Sequence, residues 1–332
     1  MHGFAVAVLA LGGWIVPWQH DAGVATLDGT RGALHDVFLF AARLDGEGVP
    51  VLDERGDKWK ETADRAHAAG AMVWLTIVND RVGATAPPAL KDSEVVHFVL
   101  ADREAGARHR SGILALAKRL GVDGVDVDYE NLPSSDRDGF AAFARQLAGD
   151  LRAAGLKMSI TVQPKSGETA SRGPGGADWA ALCAVADRLQ VMLYNEHNAA
   201  TGPGPVASLD WMTGVIDYGL GRCPASKLVP VLKVSGMDWG PSRAEWRSFG
   251  EVDSILTRTR PRRHREGYNR VPWFVYSDAG ARHIVYYEDT GSLTAKADRL
   301  RKRGLHNLML WSLGSEDPGA IPALGRAQNQ KR

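Results

Sequence analysis

The most constraining feature of this chain is a set of eight short apolar runs, each separated from the next by a longer stretch of mixed polarity. Val, Ile and Leu dominate the runs, and polar residues do not alternate within most of them. Runs of this kind are typical of strands that are buried on both faces, as in a parallel sheet. The eight runs lie at residues 13–18, 36–40, 72–78, 121–130, 156–163, 189–194, 228–234 and 307–313.

The stretches between the runs have the spacing of helices. In residues 58–69, Trp59, Ala63 and Ala66 recur at helical intervals among charged residues, and residues 111–120 and 134–154 repeat this pattern. Alternating strands and helices predict βα units with right-handed crossovers, and eight such units close into an α/β fold, the (β/α)₈ TIM barrel. A doubly wound open sheet is the alternative, but no glycine-rich phosphate loop follows the first run, where that fold commonly carries one.

The interval before the eighth run is too long for a simple connection. It holds about 70 residues, far more than a βα or αβ loop needs. Within it, Trp273–Tyr276 and His283–Tyr287 flank a Ser-Asp-Ala-Gly turn, which predicts a β-hairpin. We therefore expect a small α+β insertion at about residues 240–290 of a catalytic barrel that covers residues 13–324. Residues 325–332 are expected to form a polar tail.

The composition excludes several classes of protein. The 332 residues carry a formal net charge of +1, so nothing draws the whole chain toward nucleic acid. No run reaches the roughly 20 apolar residues that span a membrane. The apolar run Phe4–Leu11 fits either a signal-peptide remnant over residues 1–12 or a buried lead-in to the first strand. Cys183 and Cys223 match no zinc pattern and are compatible with free thiols or with one isolated bridge. We expect no metal and no cofactor.

The fourth run carries the clearest chemical signal, the sequence DGVDVDYE at residues 123–130. Because side chains alternate along a strand, Asp126, Asp128 and Glu130 share one face, and Tyr129 lies on the other with two valines. In a barrel, the three carboxylates would line the interior near the carboxyl end of the strand. Repulsion and loss of water raise the pKa of at least one of them, which is how proteins keep a general acid protonated near neutral pH.

Three other interpretations of these residues are weaker. A strand with an exposed polar face would not be expected among buried strands. A calcium loop requires Gly and Glu where the chain has Asn131 and Arg137. Schiff-base chemistry at Lys165 or Lys233 would not need the row of carboxylates. A catalytic carboxylate cluster is therefore favoured.

The spacing Asp-x-x-Asp-x-Asp-x-Glu at residues 123–130 resembles the signature of glycoside hydrolase family 18, the chitinases and N-acetylglucosaminidases, which have a (β/α)₈ barrel. Met192–His197 and Leu310–Asp317 are similar to the endings of the sixth and eighth strands of that family. Gly202–Pro205 and Asp238-Trp239, placed at the end of the seventh strand, resemble the bacterial branch of spore-cortex and peptidoglycan glucosaminidases.

The resemblance implies a retaining mechanism with substrate assistance, in which the 2-acetamido oxygen of the sugar attacks the anomeric carbon to form an oxazolinium ion. By motif position, Glu130 would be the acid/base and Asp128 would accept a hydrogen bond from the acetamide N–H. Asp126 would lie behind Asp128 and tune its pKa, and Tyr194 would donate its hydroxyl to the acetamide oxygen. Asp123 would be structural.

The resemblance and the predicted strand ends also indicate substrate-binding residues. Trp311 would form an apolar floor under the sugar, since sugar faces pack well on aromatic rings. Asn195 stands where many members have Asp, so we expect a changed pH profile with activity retained. The third strand ends in Ile77-Val78-Asn79 and lacks the Ser-x-Gly-Gly of typical chitinases, which favours a peptidoglycan-type enzyme. The full set of expected substrate contacts is Trp311, Asn195, Gln163, Trp18, Trp239 and Asn79.

These features together predict a retaining glycosidase that cleaves β-1,4-linked N-acetylglucosamine glycans, with peptidoglycan favoured over crystalline chitin. A non-catalytic sugar-binding member of the same fold is the rival, disfavoured because Glu130 is present. We expect an exported protein, with a cytoplasmic one as the alternative. A basic run in the insertion is either a solvated loop or a contact for an anionic glycan such as peptidoglycan, which carries lactyl carboxylates. The run comprises Arg258, Arg260, Arg262, Arg263, His264, Arg265 and Arg270.

Overall fold

Eight parallel strands close into a barrel in the computed structural model, which describes residues 9–30, 32–83 and 88–326. The strands in chain order are β1 (Ala10–Ile15), β2 (Leu34–Leu44), β3 (Pro50–Leu52), β4 (Met72–Arg81), β5 (Gly124–Asp128), β6 (Lys157–Val162), β7 (Arg188–Leu193), β8 (Leu228–Lys233), β9 (Gly236–Trp239), β10 (Ala244–Arg247), β11 (Arg263–Arg265), β12 (Pro272–Asp278), β13 (Ala281–Tyr286) and β14 (Asn307–Trp311). The barrel order is β1-β2-β4-β5-β6-β7-β8-β14, and β14 pairs with β1 to close it. Each predicted run contributes one barrel strand, so the predicted (β/α)₈ fold is confirmed.

Helices follow the barrel strands and cover their outer faces. They are α1 (His20–Gly29), α2 (Lys58–Ala68), α3 (Ser93–Ala101), α4 (Arg103–Leu120), α5 (Arg137–Ala153), α6 (Trp179–Val185), α7 (Leu209–Leu220), α8 (Phe249–Thr259), α9 (Thr290–Arg301) and α10 (Ala320–Arg326). The helix predicted at 111–120 begins earlier, at Arg103, because the Asp102 side chain accepts a hydrogen bond from the backbone N–H of Ala105 and caps the first turn. Similarly, residues 134–136 form a 3₁₀ turn ahead of α5.

Two apolar layers fill the barrel and its surroundings. Outside the strands, Val, Leu and Ile side chains pack against the helices. Inside, aromatic rings stack across the barrel: the centroids of Trp14 and Phe38 lie 4.5 Å apart, and those of Phe38 and Trp74 lie 5.5 Å apart. Gly124 makes room for this stack, since a Cβ there would stand 2.5 Å from the Trp74 ring. Packed aromatic rings therefore fill the barrel interior, and Trp14 is one of them.

The insertion between β8 and β14 is a second, antiparallel sheet. Its strand order is β10-β9-β13-β12-β11, and α8 packs its apolar side chains against Phe274 and Val285 on one face. The predicted hairpin corresponds to β12 and β13, with Ala279 and Gly280 at positive φ in the turn. The sheet begins at Gly236, a few residues before the expected boundary, because β9 pairs with β13 directly after β8 ends. Trp239 therefore belongs to the insertion and not to the end of the seventh barrel strand.

The two cysteines form a disulfide, with Cα atoms 5.7 Å apart. It joins α6 to the segment after α7, so the bridge is the correct one of the two possibilities that the sequence left open. At the amino end, Leu9 and Leu11 are buried and β1 starts at Ala10, whereas the first eight residues of the predicted lead-in lie outside the described residues. At the other end, α10 includes the first two residues of the predicted tail, and residues 327–332 lie outside the description. None of the described helices is long and apolar enough to cross a membrane.

Candidate active site

Asp126 lies at the centre of a polar layer inside the barrel and is fully buried. Thr76 of β4, Thr161 of β6 and Gln190 of β7 donate hydrogen bonds of 3.0–3.2 Å to its carboxylate. Trp14 in turn donates to the Thr76 hydroxyl (3.0 Å), which orients that hydroxyl toward Asp126. Burial raises the pKa of Asp126, against the opposing effect of these hydrogen bonds. Four strands thus hold this carboxyl in one position.

Asp128 follows on the same face and is also buried. Burial raises its pKa well above the usual range, and the charges of Glu130 and Asp126 add to this, while the nearby Lys91 cation opposes it. Its Oδ1 atom is buried and has no hydrogen-bond partner among the described residues. A buried acceptor without a donor is costly, so this oxygen is suited to receive an N–H from a ligand.

Glu130 comes two residues after the end of β5, and its backbone is fixed by Asn79. The Glu130 N–H donates to Asn79 Oδ1 and Asn79 Nδ2 donates to the Glu130 carbonyl, both at 2.9 Å. Asn79 is fully buried and fixes the backbone at Glu130. It does not line the cavity, so the expectation that it contacts the substrate is wrong. The Glu130 side chain itself remains 18% exposed.

Lys91 is the main residue of this site that sequence reasoning missed. Its Nζ lies 2.8 Å from Glu130 Oε1, 3.8 Å from Asp128 Oδ2 and 4.0 Å from Asp80 Oδ1, and 5.3 Å from the centroid of the Phe40 ring. Its backbone N–H donates to Asp80, and its φ of 51° is left-handed. Desolvation lowers its pKa but the carboxylates outweigh this effect, so the net pKa is raised and Lys91 is a cation. No motif or periodicity marks it, because the contact depends on the path of the loop after β4.

A cavity of about 530 Å³, a size usual for small-ligand sites, is lined by Glu130 and Lys91, whereas the buried Asp126 and Asp128 are not among its lining residues. Glu130, Tyr194 and Trp311 line it together, and these are the residues for which the family resemblance implies the roles of acid, hydroxyl donor and apolar floor. Tyr194 is buried, and burial with the three nearby carboxylates raises its pKa well above 10, so the hydroxyl stays protonated. Trp311 packs edge-on against Phe40, with ring centroids 5.2 Å apart.

The remaining predicted contacts divide into two groups. Trp18 and Asn195 line the cavity; Trp18 is 64% exposed, and Asn195 is exposed with a φ of 73°. Gln163 does not line it, because its amide group bonds Asn131 instead. Trp239 does not line it either: it is 8% exposed, and its indole N–H donates to the Asn198 carbonyl.

Asp123 lies at the opposite end of the strand, where its carboxylate accepts from the Val73 N–H (2.8 Å) and contacts His67 (2.9 Å). This contact ties the start of β4 to β5, far from the carboxyl ends of the strands.

Two further cavity residues come from β8 and the insertion. Lys233 Nζ stands 3.1 Å from the Trp246 ring centroid and 5.6 Å from that of Tyr194. Trp246 in β10 is 38% exposed and brings the insertion to the edge of the cavity. From the sequence, the only role considered for Lys233 is Schiff-base chemistry, and Trp246 has no predicted role, since the order of strands in the insertion is not visible from composition.

The basic run lies at the far edge of the insertion sheet. β11 holds Arg263 and Arg265, and it is separated from β10 by three strands. Arg258 pairs with Asp278 and Arg265 pairs with Asp289. Within the described residues, no group of His, Cys, Asp and Glu could hold a metal ion.

Comparison with known proteins identifies relatives of this barrel. The model of glycosyl hydrolases family 18 matches residues 91–317. The cortical fragment-lytic enzyme of Bacillus subtilis (strain 168) is 27% identical over 233 residues, which are 68% of this chain and 54% of that enzyme. The chain thus spans about half the length of this relative.

Solved structures share the fold across almost the whole chain. The Bacillus cereus spore cortex-lytic enzyme SleL has a TM-score of 0.85 at 18% identity, covering 97% of this chain and 75% of that one. A chitinase from Chromobacterium violaceum ATCC 12472 has a TM-score of 0.87 at 24% identity, covering 97% of this chain and all of that one. At these identities the likeness shows the barrel fold alone.

The family match covers more than half of the chain and includes the acidic motif, Tyr194 and Trp311. It confirms the resemblance that the motif spacing indicated. The chain belongs to glycosyl hydrolases family 18.

Proposed function

We propose that this protein is a retaining glycosidase that cleaves β-1,4-linked N-acetylglucosamine glycans with assistance from the substrate's own acetamido group. One observation carries the proposal: Glu130, Tyr194 and Trp311 line a single cavity directly beyond the buried pair Asp126 and Asp128. This set contains a proton donor, a hydroxyl donor, an apolar floor and an acceptor without a partner, which are the groups that such a reaction needs.

In the first step, the acetamido oxygen attacks the anomeric carbon while Glu130 gives its proton to the leaving glycosidic oxygen. The glycosidic bond breaks and an oxazolinium ion forms. Asp128 accepts the acetamide N–H through its unpartnered Oδ1, and its ionised form, which the nearby Lys91 cation favours, stabilises the positive charge. Tyr194 donates its hydroxyl to the acetamido oxygen, and its raised pKa keeps that proton in place.

In the second step, Glu130 takes a proton from water as the water attacks the anomeric carbon and opens the oxazolinium ring. Two inversions at one carbon give overall retention. Lys91 bonds Oε1 of Glu130 in the structure, so the proton would travel through Oε2. Asp126, fixed by donors from β4, β6 and β7, contributes a negative charge that helps to raise the pKa of Asp128.

We infer that the substrate is peptidoglycan and that the protein acts on it outside the cytoplasm. The Bacillus subtilis relative is named for lysis of cortical fragments, and the similar SleL is a spore cortex-lytic enzyme. The Cys183–Cys223 disulfide supports this location, because disulfides persist in oxidising compartments.

The test compares Glu130→Gln with a matched control, Glu104→Gln, which changes an exposed glutamate on α4. Glu130→Gln should lower kcat on an aryl-linked chitobioside at least about 10²–10⁴-fold, the usual effect of removing a general acid, and should keep sugar binding. A thiazoline mimic of the oxazolinium should inhibit the unmodified protein. Full activity in Glu130→Gln would overturn the assignment, and binding without turnover in the unmodified protein would favour the lectin-like rival.

A further inference from the structure

Lys233 lines the candidate active cavity, and its amine has no role in the proposed mechanism. It ends β8, and its Nζ rests against the faces of Trp246 and Tyr194. In the part of the chain that the structure describes, no hydrogen bond or ion pair reaches this Nζ, whereas Lys91 across the cavity has three carboxylates within 4.0 Å. The two lysines therefore differ: carboxylates of the protein balance the charge of Lys91, and none balances the charge of Lys233 within the described residues.

The position of Lys233 gives it access to two neighbouring sugars. It lines the candidate active cavity and also a second cavity of about 420 Å³, and the two share Trp18, Trp246 and Trp311. Arg247, Ser248, Glu251 and Ser312 are among the other residues that line the second cavity. A glycan with its reacting sugar beside Glu130 and its next sugar in the second cavity would pass directly over Nζ, between aromatic rings suited to sugar faces.

The electrostatics of this position favour an anionic ligand. Burial lowers the pKa of Lys233 to about 7, and the negative charge of Glu130 opposes this effect. The other charges nearby already have partners: Arg247 contacts Glu245 and Glu251, and Glu251 caps α8 with Ser248. A desolvated amine without a counterion is unfavourable, and a bound carboxylate would offset that cost through a charge-assisted hydrogen bond.

We propose that Lys233 binds a carboxylate on the sugar next to the reacting N-acetylglucosamine. The substrate class is then a glycan in which N-acetylglucosamine is linked to a carboxylate-bearing amino sugar, as the lactyl-bearing sugars of peptidoglycan strands are, and not the neutral chitin chain. The inference rests on the proposed function and narrows its substrate.

The experiment uses three probes: peptide-free peptidoglycan strands, the same strands with their carboxyls converted to methylamides, and chitotetraose. In the unmodified protein, kcat/KM should favour the carboxylated strands over the amidated ones by about 10–100-fold, the effect of one hydrogen bond to a charged group. Lys233→Met should reduce this preference to near unity, and Lys233→Arg should retain much of it. Lys118→Met, which changes an exposed lysine on α4, should leave the preference as it was.

Binding measured in a Glu130→Gln background separates this inference from the proposed function, because it needs no turnover. In that background, Lys233→Met should weaken binding of carboxylated strands much more than binding of chitotetraose. Equal treatment of carboxylated and amidated strands by the unmodified protein would overturn the role of Lys233, as would an unaltered preference in Lys233→Met. Either result leaves the glycosidase assignment standing, because that assignment is tested by cleavage of N-acetylglucosamine glycans and by its loss in Glu130→Gln.

Discussion

The two faces of the acidic strand, which is β5 with Tyr129 and Glu130 directly after it, perform different tasks. On the inner face, Asp126 and Asp128 are buried carboxyls with raised pKa values. Polar donors hold Asp126, whereas Asp128 has the Lys91 cation 3.8 Å away. On the outer face, Val125 and Val127 are buried against the helix layer, and Tyr129 donates a 2.5 Å hydrogen bond to His109 of α4. Consecutive residues thus alternate between chemistry and packing.

This difference shows how the barrel can contain buried carboxyls although they lower the free energy of unfolding. Buried carboxyls lower stability, since charge is disfavoured away from water. The outer face offsets that cost with apolar burial and one satisfied hydrogen bond, within the same few residues. Substitutions on the inner face should therefore change activity, and substitutions on the outer face should change stability.

After Glu130→Gln, the largest effect on the inner face is expected from Asp128→Asn. The amide cannot stabilise the positive charge of an oxazolinium, so kcat should fall about 10²–10³-fold, as when one electrostatic stabiliser is removed from an active site. The melting temperature should hold or rise, because a buried carboxyl with a raised pKa is replaced by a neutral group. Steady-state kinetics and thermal unfolding measure the two. A variant that keeps activity but unfolds easily would reverse the comparison.

The next effect is on stability: His109, which bonds Tyr129 on the outer face, should make the free energy of unfolding depend on pH. His109 is 1% exposed, donates from Nδ1 to the Gly48 carbonyl and accepts from Tyr129 at Nε2, so it is neutral. Burial is the main cause that lowers its pKa to about 4. The unfolded chain, with a pKa near 6.5, takes up the proton first as pH falls. Stability is then lost between about pH 6.5 and 4, by about 3 kcal/mol in total.

Urea unfolding at a series of pH values measures this loss. His109→Phe removes the titrating group, so the difference in unfolding free energy between the two proteins should change by about 3 kcal/mol over the same pH range. Parallel curves for the two proteins would show that His109 carries no such linkage.

A smaller effect is expected for Tyr129→Phe, which removes only the hydroxyl. The His109 Nε2 acceptor would be left buried without its donor, at a cost of about 1–2 kcal/mol in unfolding free energy. Because Tyr129 points away from the cavity, kcat should differ less than about twofold. The matched inner-face change, Tyr194→Phe, removes the same atom from the cavity wall and should lower kcat with little loss of stability. A loss of activity in Tyr129→Phe equal to that in Tyr194→Phe would contradict the separation of faces.

The sequence predicted the parts of this molecule that follow a period. The eight buried runs predicted the barrel, and alternation within residues 123–130 predicted which carboxyls lie inside. It did not predict Lys91, because that lysine reaches Glu130 from a loop whose path has no period. Trp239 was misplaced for a related reason: the chain leaves the barrel at Lys233, and β9 starts a new sheet only three residues later. Asn79 and Gln163 stand at the ends of predicted strands, which predicts cleft residues, yet their amides bond the backbones of Glu130 and Asn131.

The smallest catalytic effect is expected at the far edge of the insertion. Four strand spacings of about 4.8 Å put β11 about 19 Å from β10, where the insertion meets the cavity. The double change Arg262→Glu and Arg263→Glu should therefore alter kcat/KM on chitotetraose less than about twofold, as screening removes most interaction over that distance. The same protein should bind insoluble peptidoglycan more weakly, with a smaller dependence on salt, if this edge contacts an anionic glycan. Unchanged affinity at low salt would leave these arginines as a solvated edge and confine glycan recognition to the cavity itself.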